Sequence, residues 1–308
     1  MPLLTRERVY QMASLNKQCY FCGGNDYSCI HQGTRDLPEV DVIMCKGCGL
    51  ITLSSFDHIV DNFYHDSKMH NETMEEWIKD TDKDDYRRSH QIRKYCHTSQ
   101  MRVLDFGAGN CNFLMKIRDS YPSYRLWAVE PEEWVWNHLA LSIVDHGINY
   151  CGSLAEVDNS WPCNTKFDLI TMFHTIEHLP DPIDTLVKLR DRLDDNGTLI
   201  IETPNADDAL LTLYGCKSFE EFTYWSCHLY MFDDETLGEV AKRAGFTYEV
   251  KQIQRHSLAN HLHWLSKGKP GGHELWGQMV NDDLNLAYSS MLAGIGKCDT
   301  LFATLRKA

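Results

Sequence analysis

Four cysteines fall into two Cys-x-x-Cys pairs, Cys19-Tyr-Phe-Cys22-Gly-Gly and Cys45-Lys-Gly-Cys48-Gly. Two residues between thiolates let one tight turn aim both sulfurs at a single ion, and the glycines that follow allow the backbone such a turn needs. Four thiolates complete a tetrahedral shell with no open position, so Cys19, Cys22, Cys45 and Cys48 read as the ligands of a structural zinc in a ribbon. A redox dithiol needs only one such pair, in a thioredoxin-like setting that is absent here. Cys29, Cys96, Cys111, Cys151, Cys163, Cys216, Cys227 and Cys298 show no paired spacing and are expected as small buried hydrophobes.

A second constellation is Val103-Leu-Asp-Phe-Gly-Ala-Gly-Asn110. Asp105 closes an apolar run, and Gly107 and Gly109 occupy the turn into a helix, so a ligand can press against bare backbone there. The third glycine of the dinucleotide fingerprint is missing, with Leu114 and Met115 where it would fall, so a pyrophosphate is not the expected ligand. The next apolar run ends Ala128-Val-Glu130-Pro, and an acid at that edge can accept hydrogen bonds from both hydroxyls of a ribose. Farther on, His174, Glu177 and His178 cluster past a third run. A histidine beside a carboxylate can be tuned for proton transfer near neutral pH, although such a pair can equally brace a loop.

Elements must bring these residues together. From residue 101 short apolar runs alternate with helical periodicity, the pattern of a mostly parallel sheet with crossover helices. Strands are expected at Arg102–Phe106, Leu126–Val129, Phe167–Phe173, Thr198–Thr203, Phe246–Arg255 and Asp299–Leu305. Helices are expected at Asn110–Arg118, Pro131–Val144, Asp184–Leu193 and Asp234–Ala244. Three parts follow: a zinc ribbon over 1–53, a helical cap or linker over 54–98, and a catalytic domain over 99–308. The cap reads as two amphipathic helices, one at Met74–Asp80 and one at Asp85–Arg93, with Phe63, Tyr64, Trp77, Tyr86 and Ile92 needing cover. Within the last domain 256–298 reads as a helical insertion. Its His256, His261, His263 and His273 lack any paired carboxylate or cysteine, which argues against a second metal there. A substrate lid or a hairpin packed on the sheet fits its composition.

Over about residues 99–255, and again at the terminal strand, the chain resembles the class I S-adenosylmethionine (SAM)-dependent methyltransferases. The first motif of that family is matched by Leu104-Asp-Phe-Gly-Ala-Gly109, its acidic second motif by Glu130, and its fourth-strand motif by Phe167-Asp-Leu-Ile-Thr-Met-Phe-His174. Thr175-Ile-Glu-His-Leu-Pro-Asp-Pro182, His228-Leu-Tyr-Met-Phe-Asp233 and Leu237–Phe246 resemble the branch that includes quinone-biosynthesis methyltransferases. The ribbon ahead of the core, together with Glu177-His178, is similar to antibiotic sugar C-methyltransferases, whose long C-terminal second domain has no match in this sequence.

The resemblance implies a Rossmann-like α/β fold with a seven-stranded, mostly parallel sheet. It implies that Asp105, Gly107 and Gly109 hold the methionine end of SAM and that Glu130 holds the ribose. Ser153 and Leu154 would flank the adenine, in a loop that lacks the acid many relatives carry. Phe173 and His174 would close over the sulfonium, and His178, Glu177 and His174 would serve the acceptor.

A formal net charge of −14 repels a phosphate backbone, so nucleic-acid partners are not expected. No run of about 18 apolar residues appears, and no membrane partner is expected. Met1–Tyr10 alternates charged and apolar residues, unlike a signal peptide, which suggests the cytoplasm. The expected function is methylation, at oxygen or carbon, of a small polar metabolite such as a nucleotide-linked sugar, with SAM and zinc as cofactors. A catalytically inactive SAM-binding or partner-recruiting protein is the alternative, and the oligomeric state stays open.

Overall fold

The computed structural model describes residues 17–60, 73–153 and 165–308. Phe63, Tyr64, Leu154 and Cys163 lie outside the described residues. Two sheets form. The larger has seven strands, β4 (Arg102–Phe106), β5 (Arg125–Val129), β6 (Ile148–Cys151), β7 (Phe167–Phe173), β8 (Leu193–Pro204), β10 (Phe246–Ile253) and β11 (Thr300–Lys307). Their order across the sheet is β10-β11-β8-β7-β4-β5-β6, and β11 alone runs antiparallel to its neighbours. The seventh strand, Ile148–Cys151, leaves no apolar run in the sequence, because its central Asn149 and Tyr150 are exposed at the sheet edge.

Central strands here are covered on both faces, so nearly every residue is buried and successive side chains enter opposite cores. Leu104, Trp127, Ile170 and Ile201 join one apolar cluster, whereas Val103, Leu126, Leu169 and Ile200 join the other. The helices Pro182–Arg192 and Asp234–Arg243 cover the first face. The helices Met74–Gln91, Asn112–Ser120 and Glu133–Asp145 cover the second.

Met74–Gln91 is a single 18-residue helix, where the sequence suggests two. Polar Asp80-Thr81-Asp82-Lys83 breaks the apolar stripe, yet it contains no glycine or proline to stop the backbone, and these residues face neighbouring acceptors and donors instead of solvent alone. Asn110 Nδ2 donates to Thr81 Oγ1 at 2.9 Å, and Lys116 Nζ contacts Asp82 at 2.6 Å. A capping box starts the helix: Glu76 N donates to Thr73 Oγ1, and Thr73 N donates to Glu76 Oε2.

The smaller sheet has the order β1-β2-β3-β9, built from β1 (Tyr27–His31), β2 (Val42–Cys45), β3 (Ile51–Leu53) and β9 (Tyr230–Met231). The first three belong to the cysteine-bearing segment and the fourth comes from the far end of the chain, pairing Thr52 with Tyr230 and Ile51 with Met231. Packing does not break at residue 53: Phe21, Val42, Ile43 and Leu50 share one core with Leu104, Phe167 and Phe232.

The insertion folds as helices Leu258–Lys267, His273–Trp276 and Asp282–Gly294. Trp264 packs against Phe219 and Phe222 of the helix Lys217–Thr223, and His261 Nδ1 sits 2.7 Å from Tyr288 Oη. The hairpin lies on the 209–223 segment because its tryptophan finds an aromatic socket there. Of the cysteines without paired spacing, Cys29, Cys111, Cys151, Cys216, Cys227 and Cys298 are buried, and Cys96 is partly so. Among the described residues no helix is long and apolar enough to cross a membrane.

Candidate active site and cysteine centre

A cleft of about 610 Å³ opens at the carboxyl edge of β4, β5, β7 and β8, where such sheets bind ligands. One end is the glycine turn. Gly107 (φ +78°) and Gly109 (φ +49°) take left-handed backbone, and Gly107 N and Ala108 N donate to Val129 O, tying the turn to β5. A side chain at Gly107 would lie 2.6 Å from Thr175 Cγ2 and closer still to Oγ1. Trp77 roofs Gly109.

Asp105 and Glu130 flank this turn, both buried. Asp105 Oδ1 accepts from Thr171 Oγ1 at 2.7 Å, and burial pushes its carboxyl up to about 7 despite that bond. Glu130 Oε2 accepts from Gly109 N at 2.9 Å and Oε1 from Glu132 N at 3.0 Å. Burial raises its pKa and the two amides pull it back. Each oxygen keeps a second lone pair. Phe173 lines the cleft, held edge-on by Phe113 at 5.0 Å. Ser153 follows β6 but does not line the cleft; Pro131 and Glu132 do.

At the other end stand His174, Glu177, His178, Trp225 and His228. His174 has φ +51°, a strained conformation for a residue with a Cβ, which turns the chain sharply at the end of β7. Its Nε2 accepts from Arg255 Nη1 at 2.6 Å, so the ring proton sits on Nδ1, 3.3 Å from Glu177 Oε1. The His178 Nδ1 faces Cys227 O at 2.8 Å; a carbonyl only accepts, so Nδ1 carries the proton and Nε2 the lone pair. Glu177 Oε2 accepts from Thr203 Oγ1 at 2.9 Å. Burial would raise the Glu177 carboxyl, but His174 and the charges of His178 and His228 outweigh it and hold it at about 2. Burial lowers the pKa of His178, and takes His228 to about 3.

Beneath this end lies a charge network that spacing did not reveal. Glu202, at the end of β8 and 0% exposed, receives Arg87 Nη1 and Nη2 at 2.9 Å each and Arg88 Nε at 3.0 Å. Arg255 pairs with Asp84, whose carboxyl it holds well below the usual range against the opposing effect of burial. Removing one partner of a buried pair strands the others, so Glu202→Ala should cost about 3–5 kcal/mol in urea unfolding. A loss under about 1 kcal/mol would show the network to be energetically idle.

The four cysteines converge. Cys19 Sγ lies 3.5 Å from Cys48 Sγ and Cys22 Sγ 3.5 Å from Cys45 Sγ, all four within 4.8 Å of one another. A disulfide would need about 2.05 Å. A tetrahedron of Zn–S bonds of about 2.3 Å has edges of about 3.8 Å, so the donor set fits such an ion. The Gly24 amide, the largest influence on Cys22, lowers its thiol to about 7. His256, His261, His263 and His273 form no such cluster among the described residues.

The cysteine segment also grips the wall that carries Trp225 and His228. Ser226 N and Oγ donate to Asp36 at 3.0 and 2.6 Å, His58 Nε2 contacts Ser226 O at 2.9 Å, and Thr52 Oγ1 donates to Leu229 O at 2.9 Å. The Arg35 guanidinium lies over the Trp225 ring at 4.0 Å.

A family model described as a methyltransferase domain matches residues 81–250. The tRNA U34 carboxymethyltransferase of Aliarcobacter butzleri is 27% identical over 114 residues, a stretch that covers 36% of this chain and 36% of that protein. A SAM-dependent methyltransferase structure from Archaeoglobus fulgidus aligns with TM-score 0.47 at 18% identity, over 72% of this chain and 94% of that one. The plantazolicin methyltransferase BpumL, solved with a monoazolic desmethylPZN analogue and S-adenosylhomocysteine (SAH), gives TM-score 0.45 at 21% identity over 71% of this chain and 80% of that one. With more than half of its length matched by the family model, the chain belongs to the SAM-dependent methyltransferases.

Proposed function

We propose that the cleft methylates a small polar metabolite, at oxygen or carbon, and that the observation carrying this reading is its continuity: the glycine turn and Glu130 at one end share one space with Glu177, His178 and His228 at the other. SAM supplies an activated methyl group on its sulfonium when bound. The protein's task is then to align donor and acceptor and to remove a proton from the acceptor. Asp105, Gly107 and Gly109 take the methionine end, Glu130 the ribose through its remaining lone pairs, and Phe173 and His174 close beside the sulfonium. Ser153 and Leu154 flank the adenine. Proton removal belongs to the Glu177–His178 end. His174, its Nε2 engaged by Arg255, orients Glu177.

The chain's acidity and the volume of the cleft favour a metabolite over a nucleic acid. A nucleotide-linked sugar belongs at the head of the test panel on the strength of the ribbon and the Glu177-His178 pair. The ribbon over 1–53, with zinc on Cys19, Cys22, Cys45 and Cys48, shapes the acceptor wall ahead of a catalytic part beginning near residue 99.

Methyl transfer from labelled SAM across nucleotide sugars, hydroxy acids and phenols tests this, with transfer RNA as the contrasting acceptor. His178→Gln should lower turnover by about 10²–10⁴ with SAH affinity unchanged. Transfer to RNA alone, or full turnover by the variant, would overturn the reading.

Titration of Asp105 gives a pH signature. Its ionised form complements the ammonium of the methionine end, and with a pKa of about 7 it is increasingly protonated below neutrality. SAH affinity should therefore fall by up to about tenfold per pH unit below pH 7 and level off above it. Calorimetric titrations from pH 5.5 to 8 check this, and Asp105→Asn should flatten the profile.

A further inference from the structure

The acceptor end contains a set of donors that proton transfer alone does not use. Glu177, His178 and His228 each offer one ligand atom within 4.8 Å of the other two, and all three line the cleft. The His178 and His228 rings stand edge to face, with centroids 5.0 Å apart. Glu177 is 2% exposed, yet its Oε1 has no full hydrogen-bond partner, only the His174 Nδ1 as an ion-pair contact at 3.3 Å. A buried carboxylate oxygen left so is costly unless something else completes it. The bond from His178 Nδ1 to Cys227 O fixes the tautomer that leaves Nε2 as the donor atom, the outer-shell arrangement metal-binding histidines use.

We infer that Glu177, His178 and His228 bind a divalent first-row transition cation whose remaining positions face the acceptor. Two imidazoles and a carboxylate on one side of an ion suit zinc, iron(II), cobalt or manganese and leave sites open for oxygen donors. The site is distinct from the ribbon, whose four thiolates leave no open position. The inference rests on the reading of this end as the acceptor pocket and deepens it: the substrate presents an oxygen to the ion, whose positive charge lowers the pKa of that oxygen so that its proton passes to solvent, with Glu177 and His178 acting on that proton through the ion as its ligands. Acceptors with two adjacent oxygens, a hydroxyl beside a carbonyl or a second hydroxyl, fit best.

The test is cobalt(II) titration of the full chain carrying one equivalent of zinc, which the four thiolates take in preference to the imidazole–carboxylate set, followed by visible absorption. One further equivalent should bind with ligand-field bands and without the thiolate-to-metal charge-transfer band that cobalt in the ribbon would give. His228→Gln and Glu177→Gln should each lose that equivalent while keeping ribbon zinc and SAH affinity, which also shows that they fold. Should neither variant fold, the wild-type spectrum still decides. No uptake, uptake with thiolate charge transfer, or uptake undiminished in both folded variants would overturn the site. Cobalt uptake without methyl transfer to any acceptor would leave the cation site standing and sink the catalytic reading; transfer by a chain that takes up no cobalt would do the reverse.

Discussion

Gly107→Arg abolishes SAH binding in the expected result, with far-ultraviolet circular dichroism unchanged. Two independent costs meet at that position. The backbone sits at φ +78°, which a residue with a Cβ adopts only with strain, and the Cβ itself would overlap the Thr175 side chain. Gly107→Ala carries both costs without the guanidinium and should weaken SAH by at least about 100-fold, since about 1–3 kcal/mol of strain adds to the displacement of Thr175 from the floor of the cleft. Adding Thr175→Gly should recover part of that loss by removing the overlap but not the strain. Unaltered affinity in Gly107→Ala would remove the glycine turn from the donor site.

That turn was legible because its chemistry is local: an acid, two glycines and a following helix within eight residues. Glu130 was legible for the same reason, sitting at a strand end that apolar periodicity marks. The network under the acceptor end was not. Glu202 reaches Arg87 and Arg88 across more than a hundred positions, and in the sequence Arg87-Arg88 reads as the polar face of a surface helix. Its one signal was Glu202 itself, a charge inside the fully buried run Thr198–Thr203. His228 stood in the motif His228-Leu-Tyr-Met-Phe-Asp233, yet its nearness to His178 depends on the two-residue strand Tyr230–Met231, too short to leave a pattern. The same strand explains why a boundary at residue 53 is invisible in the packing: the partner that completes the ribbon's sheet lies far along the chain.

That shared sheet makes Cys45→Ser the second large effect. Losing one thiolate should release the zinc, and structural zinc contributes on the order of 10 kcal/mol to modules of this kind, so the ribbon should lose its order. The wall bearing Trp225 and His228 would then lose Asp36, His58 and Thr52, its polar anchors. The expected outcome is zinc-free protein by elemental analysis, a lower melting temperature, and an acceptor KM raised by about tenfold or more, with SAH affinity changed by less than about threefold. The split between donor and acceptor is the informative part, because general unfolding would remove both. Unchanged zinc content would count against the four-cysteine centre, and an unchanged acceptor KM in zinc-free protein would separate the ribbon from the acceptor wall.

The measurement closest to the central claim is calorimetric titration of SAH into the zinc-loaded full chain, beside Glu130→Ala. The glycine turn and its two buried acids predict saturable binding at one site per chain, weakened by about tenfold or more when the ribose acid is removed. No binding to the intact chain, or equal binding to both proteins, would contradict the donor site described here.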